Sequence, residues 1–322
     1  MIKLYKGDCL IESDKIESGS VDLILTDLPY GTVKDIKYPN DNRKGYDTTA
    51  KWDTTIDTNE IYKIANRILR KNGKMILFAQ QPFTTELIIK AIPNLPFNYS
   101  MIWEKDNFAN ALFVNKAPVN YYEDVLVFSK IYDTERKHPL RDYFYSEFEK
   151  TKLSFLEINR DYLKCAYGNG GGVAYNMLSN TRTDFCMPTE KRYKQLQETG
   201  FFNKDYLELK EIDSKYRSTF NLWEGKKYKS NILKYKKEYK GQHPTQKPIL
   251  LLEDLIKTFS NENDLVVDLT MGSGSTMVAC QNTNRNGIGI EMNDEYFSIA
   301  EKRVEKNIIT TGKQETLFNA QT

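Results

Sequence analysis

The chain has 322 residues, 40% of them apolar, which is enough for a buried core and fits about two domains, one inserted into the other. No apolar run is long enough for a membrane span and the first ten residues do not resemble a secretory signal, so we expect a cytoplasmic protein without membrane partners. The net charge of +2 excludes nothing, but four cysteines without CxxC spacing and two separated histidines argue against a metal site, a disulfide framework and a Ser/His/Asp triad.

The predicted elements alternate between strands and helices. Strand-like runs are IKLY, VDLILT, KMILFA, YSMIW and DVLVFS, and NEIYKIANRILRK has apolar residues at helical spacing. The alternation stops near Lys130 and resumes near Gln246 with a helix (PILLLEDLIKTF), a buried strand (LVVDL), a helix (STMVACQN), a strand (GIGIE) and a helix (DEYFSIAEKRVEK). This order predicts an α/β fold with a doubly wound, mostly parallel sheet that is split by an insertion.

We place the insertion at residues 131–240 and the two parts of the main domain at residues 1–130 and 241–322. The insertion is more polar and contains GNGGG, which indicates a loop-rich module. Its segment Lys215–Lys240 carries nine Lys or Arg against two Glu, a local charge of +7, mixed with aromatic residues. Such a mixture suits phosphate contact and base stacking, although a solvated helix face with packed aromatics has the same composition. The candidate phosphate contacts are Lys226, Lys227, Lys229 and Lys236.

The clearest ligand motif is DLTMGSGST at residues 268–276, between a predicted strand and a predicted helix. Its two glycines allow a sharp turn close to a ligand, and the Ser and Thr that follow can cap the helix. Glu291 ends the next strand, where a carboxylate can bind two ribose hydroxyls. Met277 replaces the third glycine of GxGxxG, which disfavours a pyrophosphate. We predict a nucleoside-binding loop, with a plain glycine turn of a doubly wound sheet as the alternative.

Two further motifs accompany this loop, TDLPYG at residues 26–31 and GQHPTQKP at residues 241–248. Together the three resemble the β-class amino-methyltransferases of DNA, in which a DPPY-type motif comes first, then a target-recognition insertion, then the cofactor loop. Supporting motifs are GDCL, NGKMILF, IWEKDN, YYEDVLVFSK and GIGIEMNDEYFSIA. The resemblance covers nearly the whole chain. It implies a circularly permuted Rossmann-like methyltransferase fold, S-adenosyl-L-methionine as cofactor, no metal, and double-stranded DNA as substrate.

The resemblance also implies roles for single residues. The catalytic motif is Asp27, Leu28, Pro29 and Tyr30, in which the Asp27 carboxylate and the Leu28 carbonyl accept hydrogen bonds from the target amino group. Tyr30 and Trp103 are expected to stack on the flipped base. Asp8 is assigned to the cofactor's adenine, Glu291 to its ribose, and Thr245 and Lys247 to its carboxylate. The other implied cofactor-binding residues are Asp268, Met271, Gly272, Ser273, Gly274, Ser275 and Thr276.

Two departures from the family pattern bear on activity. Leu28 stands where the family usually has proline, and Met271 stands where it commonly has an aromatic ring near the cofactor. We predict methylation of adenine N6, since the cytosine-N4 class more often has Ser or Thr in place of Asp27. Cytosine-N4 methylation and an inactive DNA-binding protein remain alternatives. A second copy of the chain, in a homodimer, and a cognate restriction enzyme are candidate partners. A cytosine-C5 enzyme needs a Pro-Cys pair, which the chain lacks, and a dehydrogenase explains neither TDLPYG nor the basic insertion.

Overall fold

The computed structural model describes residues 1–31, 55–109, 114–132, 138–165, 172–181, 185–214, 216–223, 225, 227–238, 246–311 and 318–319. The chain divides into two compact units. The first unit comprises Met1–Leu69, Gly73–Lys130 and Thr219–Thr322, and the second comprises Arg70–Asn72 and Ile131–Ser218. No helix in these described ranges is both long and apolar enough to cross a membrane.

The first unit is built on one mixed sheet. Its strands are β1 (Ile2–Lys6), β2 (Val21–Thr26), β3 (Leu69–Ala79), β4 (Phe97–Ala109), β5 (Asn120–Ser129), β6 (Ile232–Lys234), β7 (Leu265–Asp268), β8 (Asn286–Glu291) and β9 (Phe318–Asn319). In the described part of the chain they are ordered β6-β4-β5-β3-β2-β7-β8-β1-β9. The pairs β3–β5 and β4–β5 are antiparallel, and the other neighbouring pairs are parallel. The expected mostly parallel sheet is confirmed.

Helices cover both faces of this sheet and form most of the second unit. In chain order they are α1 (Cys9–Glu12), α2 (Thr58–Ile68), α3 (Phe83–Ile89), α4 (Pro139–Thr151), α5 (Phe155–Glu157), α6 (Gly172–Leu178), α7 (Glu190–Gln197), α8 (Tyr206–Ser214), α9 (Ile249–Phe259), α10 (Ser275–Asn282) and α11 (Asp294–Thr311). A short 3₁₀ turn (Ser13–Lys15) follows α1, and a π-helical turn (Ile158–Tyr162) follows α5.

The central strands are apolar along their length because both of their faces are buried. In β2, Leu23 and Leu25 join a core that includes Leu251 of α9, whereas Ile24 joins the opposite core with Ile61 of α2. Alternation of side chains along a strand produces this division. The sheet is therefore doubly wound, as the sequence predicts.

In the described part of the sheet six neighbouring strands run parallel, and the carboxyl ends of the middle four meet at one edge. The order is β2, β7, β8 and β1. Residues directly after or at these ends include Asp27, Asp268, Glu291 and Asp8. In open α/β sheets ligands bind outside this edge.

The described residues of the segment 219–238 belong to the first unit, whereas the sequence prediction assigned them to the insertion. Two interactions hold them there. Strand β6 pairs with β4, with Leu233 opposite Trp103, and the Asn221 amide donates to the backbone oxygens of Lys257 and Ser260 at 3.1 and 3.0 Å. Basic composition gave no signal of this pairing.

The described part of the second unit consists mainly of short helices, α4 to α8, and the segments that join them. Its core includes Phe144, Tyr193, Phe202 and Leu140. The Tyr193 hydroxyl donates to the backbone oxygens of Phe202 and Lys204 at 2.9 and 2.8 Å. Aromatic residues therefore form a core in a segment whose average composition is polar.

Candidate active site

Asp27 directly follows β2 and is joined to the segment 268–276, DLTMGSGST, which begins at the end of β7 and which we call the glycine loop. The Thr270 hydroxyl donates to the backbone oxygen of Asp27 at 2.9 Å, and the Thr26 hydroxyl donates to Asp268 Oδ1 at 2.8 Å. The two hydroxyls are also within 2.8 Å of each other. The TDLPYG and DLTMGSGST motifs are thus side by side in the fold.

Both carboxylate oxygens of Asp27 have a partner. The Tyr30 hydroxyl donates to Oδ1 at 2.7 Å, and the Lys247 ammonium donates to Oδ2. Lys247 Nζ is also 3.2 Å from Glu123 Oε2, and Lys105 Nζ pairs with Glu123 Oε1 at 2.7 Å. Two carboxylates and two ammonium groups form one compact cluster, which we call the catalytic ion cluster.

In this cluster, burial and the neighbouring charges shift the pKa of each group in opposite directions. Burial raises the pKa of Asp27, and the Lys247 ammonium opposes that rise. Burial would also raise the pKa of Glu123, but Lys247 and Lys105 outweigh it and hold that pKa below its usual value. Burial would lower the pKa of Lys247, but the two carboxylates raise it. Lys247 is therefore charged between two acids, one of which is already paired with Lys105.

The described contacts of Lys247 are with the acids of this cluster. The resemblance assigned it to the cofactor's carboxylate, whereas its ammonium contacts Asp27 and Glu123 and lies 5.0 Å from the centre of the Phe78 ring. The residue before it, Gln246, instead accepts a hydrogen bond from Ser273 Oγ of the glycine loop at 3.2 Å. Thr245, predicted beside them, lies outside the described residues.

Tyr30 lines a cavity of about 420 Å³ together with Ile56, Thr58, Phe83 and Glu86 among others. The ring centres of Tyr30 and Phe83 are 5.3 Å apart at a tilt of 39°. Burial, with Asp27 next in effect, raises the pKa of Tyr30 well above its usual value, so the hydroxyl stays protonated and donates to Asp27.

Two residues of the catalytic region are buried. Leu28 is 2% exposed and packs in the core with Tyr30 at its border. Trp103, expected to stack on the base, is 3% exposed, and its indole N–H donates to the backbone oxygen of Tyr235 at 2.8 Å. The covered ring disfavours the stacking role predicted for Trp103. Pairing of β4 with β6 covers it.

Gly272 and Gly274 have φ angles of 52° and 79°, which glycine adopts without strain. The Gly272 N–H donates to Glu291 Oε2 at 2.9 Å, and the Asn293 N–H donates to Oε1 at 2.7 Å. Burial raises the pKa of Glu291, and these backbone donors oppose the rise. Glu291 thus fixes the glycine loop to the end of β8.

Asp268 holds the start of the same loop. Its Oδ2 accepts from the Thr276 hydroxyl at 2.6 Å, and its Oδ1 accepts from the Thr270 N–H at 3.1 Å. Burial raises the pKa of Asp268 to about 6. The N-cap of α10 is Gly274, without a side-chain cap, so the capping expected from Ser275 and Thr276 does not occur.

Arg303 of α11 is a functional candidate that the sequence analysis missed. Its Nη1 donates to the backbone oxygen of Ser273 at 2.7 Å, to Ser273 Oγ at 2.8 Å and to Ser275 Oγ at 3.1 Å. The only signal was a basic residue on the helix after Glu291, which is typical of many exposed helices. Arg303 fixes the glycine loop from the helix side.

Met271 was expected near the cofactor but is buried in the core, at 5% exposure. Its N–H donates to the backbone oxygen of Ile290 at 2.9 Å. Its sulfur covers Gly289, where an added Cβ would come within 2.3 Å of it. Met271 therefore supports the loop from beneath.

Asp8, predicted to bind the cofactor's adenine, caps α1 by accepting from the Leu10 N–H at 2.9 Å.

The predicted DNA-contact lysines differ in environment. Lys227 and Lys236 are exposed, and Lys226 lies outside the described residues. Lys229 is partly buried, and its ammonium contacts both oxygens of Asp254 at 2.6 and 2.7 Å, while Trp223 Nε1 donates to the same carboxylate at 3.0 Å. This ion pair disfavours the phosphate contact predicted for Lys229.

Several known proteins are similar to this chain in sequence or in fold. The type II methyltransferase M.HindIII of Haemophilus influenzae is 25% identical over 342 residues, covering 94% of this chain and 96% of the relative. The DNA adenine methyltransferase YhdJ of Escherichia coli is 25% identical over 307 residues, covering 94% and 82%. TTHA0409 of Thermus thermophilus, solved with S-adenosyl-L-methionine, superposes with a TM-score of 0.53 at 15% identity over the full length of both chains.

A family model also matches most of the chain. The family model for N6/N4 methylases, described as DNA methylase, matches residues 21–302. That range begins at β2, before Asp27, and ends within α11, so it includes the catalytic ion cluster and the glycine loop. The resemblance inferred from the motifs is confirmed, and the chain belongs to the N6/N4 family of DNA methylases.

Proposed function

We propose that this DNA methylase transfers a methyl group from S-adenosyl-L-methionine to the N6 amino group of adenine in double-stranded DNA. The observation that carries this proposal is the position of Asp27, whose backbone oxygen is bonded to Thr270 of the glycine loop. A relative named as a DNA adenine methyltransferase, matched over 94% of the chain, supports adenine as the target.

An exocyclic amino group is a poor nucleophile because its lone pair is delocalised into the base. Two acceptors on its hydrogens favour a tetrahedral nitrogen with a localised lone pair. The Asp27 carboxylate and the Leu28 carbonyl are the acceptors proposed here. Since Leu28 retains its backbone oxygen, replacement of the family's usual proline preserves this function.

The residues at the carboxyl edge of the sheet suit the cofactor chemically. Glu291, Asp268 and Asp8 place carboxylates there, which match a ligand with a ribose diol, an ammonium group and a sulfonium. The glycine loop, held by Glu291 on one side and by Arg303 on the other, supplies a close backbone surface. When bound, S-adenosyl-L-methionine supplies an activated methyl group, and its sulfur retains the electron pair of the broken C–S bond.

A carboxylate oxygen of Asp27 also suits removal of the extra proton that nitrogen carries after transfer. Burial raises the pKa of Asp27, which makes its carboxylate a better proton acceptor than an exposed aspartate. Tyr30 remains protonated and orients the carboxylate through its hydroxyl. Asp27 therefore both holds the amino group and receives its proton, while Tyr30 orients its carboxylate.

The target base must leave the duplex to reach Asp27, at a cost of a few kcal/mol. Stacking on an aromatic ring is worth about 1 to 3 kcal/mol, and Tyr30 on the wall of the cavity is the proposed stacking surface for the base.

The exposed Lys227 and Lys236 are the proposed contacts to the DNA phosphates. Relatives named type II methyltransferases support a cognate restriction enzyme as partner.

Methyl transfer to unmodified plasmid DNA tests the proposal. We expect labelled methyl groups from S-adenosyl-L-methionine to appear as N6-methyladenine when the DNA is digested to nucleosides and analysed by mass. N4-methylcytosine would contradict the choice of base, and unmodified DNA would contradict catalysis. Calorimetric titration with S-adenosylhomocysteine tests cofactor binding independently of activity.

A further inference from the structure

Glu123 has a buried carboxylate beside Asp27, and both residues contact the Lys247 ammonium. Glu123 Oε1 is paired with Lys105 at 2.7 Å. Its Oε2 is buried and faces Lys247 Nζ at 3.2 Å, as an ion pair that is looser than the bond between Lys247 and Asp27. Glu123 Oε2 can therefore accept a closer hydrogen bond from the same ammonium. The mechanism proposed above does not use Glu123.

The Lys247 ammonium is a competitor of the target amino group. Both are N–H donors, and both need the carboxylate of Asp27, whose Oδ1 is already bonded to Tyr30 and whose Oδ2 is bonded to Lys247. A carboxylate has further lone pairs, but an adjacent cation reduces the electron density that it offers to an incoming amine. Efficient catalysis therefore requires that Lys247 withdraw from Asp27 when the base arrives.

We propose that Lys247 is a placeholder for the target amino group and that Glu123 is the positioning residue that receives its ammonium when the base binds. This inference rests on the proposed function. A small movement of Nζ exchanges the hydrogen bond to Asp27 Oδ2 for one to Glu123 Oε2. The ammonium remains paired with a carboxylate throughout, so no isolated buried charge is created.

Neighbouring groups fit this exchange. Lys105 holds Glu123 through Oε1, so that Oε2 stays directed to Lys247. The Phe78 ring, 5.0 Å from Lys247 Nζ, supplies a second favourable contact for the cation. In the resting arrangement Asp27 keeps a donor on each oxygen, and in the working arrangement the base replaces one of them.

Three variants test the exchange: Glu123→Gln, Lys247→Gln and the double variant. In Glu123→Gln the ammonium has no charged alternative and stays on Asp27, so we expect kcat/KM for DNA to fall about tenfold or more. The affinity for S-adenosylhomocysteine should stay within about twofold, because the exchange takes place at the base. Glu60→Gln, in the exposed pair with Lys63 on α2, is the matched control and should leave the kinetics unchanged.

The double variant separates positioning from a structural role. Because it lacks the competing ammonium, it should methylate DNA several times faster than Glu123→Gln. A double variant as slow as Glu123→Gln, or a fully active Glu123→Gln, would overturn the inference while wild-type methylation still supports the proposed function. Absence of wild-type methylation would overturn both.

A structure of the wild-type protein with S-adenosylhomocysteine and its DNA site gives a second test that does not depend on variant folding. The expected result is Lys247 Nζ within hydrogen-bond distance of Glu123 Oε2 and no longer bonded to Asp27. An ammonium still bonded to Asp27 beside the bound amino group would refute the exchange.

Discussion

The Thr270 hydroxyl donates a 2.9 Å hydrogen bond to the backbone oxygen of Asp27 and so joins the glycine loop to the catalytic motif. The two residues follow neighbouring parallel strands, β7 and β2, which bring their carboxyl ends to the same edge of the sheet. Thr270 thereby helps to set the position of the peptide that precedes the Leu28 carbonyl. A hydroxyl at this point couples the two halves of the site.

We expect Thr270→Val to reduce kcat about three- to tenfold, as the loss of one hydrogen bond predicts. The affinity for S-adenosylhomocysteine should change little, because the loop retains its bonds to Glu291 and Arg303. Single-turnover methylation measures the effect. Thr258→Val, which removes a buried hydroxyl bonded within α9, is the control, and an equal loss of rate in both variants would contradict a specific role.

Arg303→Met should weaken binding of S-adenosylhomocysteine about five- to fiftyfold, because the loop loses charge-assisted bonds to Ser273 and Ser275. Turnover at saturating cofactor should fall much less. Isothermal titration calorimetry measures the affinity, with the exposed Lys302→Met as control. An unchanged dissociation constant in Arg303→Met would show that the loop does not need this brace.

The raised pKa of Asp268 predicts that the stability of the folded protein decreases as the pH rises. Its pKa is raised by burial from 3.8 to about 6, so the folded state holds the proton more tightly than the unfolded chain. Stability contributed by Asp268 therefore falls as the pH rises from about 4 to about 6 and is constant above that range.

Asp268→Asn removes this titration. Relative to the variant, the free energy of unfolding of the wild type should decrease by up to about 3 kcal/mol between pH 4 and pH 7. Urea unfolding of both proteins across that range measures the difference. A difference that does not vary with pH would mean that Asp268 titrates normally.

Lys236→Gln should weaken DNA binding about equally for all sequences and reduce the slope of log affinity against log salt by about 1. Lys229→Met should instead lower the free energy of unfolding by about 3 kcal/mol, because the buried Asp254 loses its charged partner. Fluorescence anisotropy at several salt concentrations and urea unfolding distinguish the two. A salt slope reduced by Lys229→Met but not by Lys236→Gln would reverse the assignment.

Much of the sheet could be predicted from sequence because its central strands are short apolar runs bounded by turn residues. For example, LVVD forms β7 and VDLILT forms β2, as expected. The helix predicted at NEIYKIANRILRK ends earlier, at Ile68, because Leu69 pairs with Val21 in the sheet. Local periodicity does not indicate where pairing with a distant strand takes over.

The site was only partly predictable for the same reason. Sequence motifs correctly brought Asp27 and the glycine loop together, since strand order determines that relationship. They could not place Trp103 in the core, because its burial depends on the three-residue strand β6. They also could not place Lys247 on Asp27, because the partner of a long, flexible side chain depends on the balance of burial and neighbouring charges.

Asp27→Ala is the most direct test of the central claim that this carboxylate accepts the target amino group. Lys247 keeps Glu123 as a partner in the variant, so the fold and the cofactor affinity should be preserved. We predict that single-turnover methylation falls by at least about a hundredfold, while the dissociation constant for S-adenosylhomocysteine stays within about twofold. Methylation at the wild-type rate in Asp27→Ala would contradict the account.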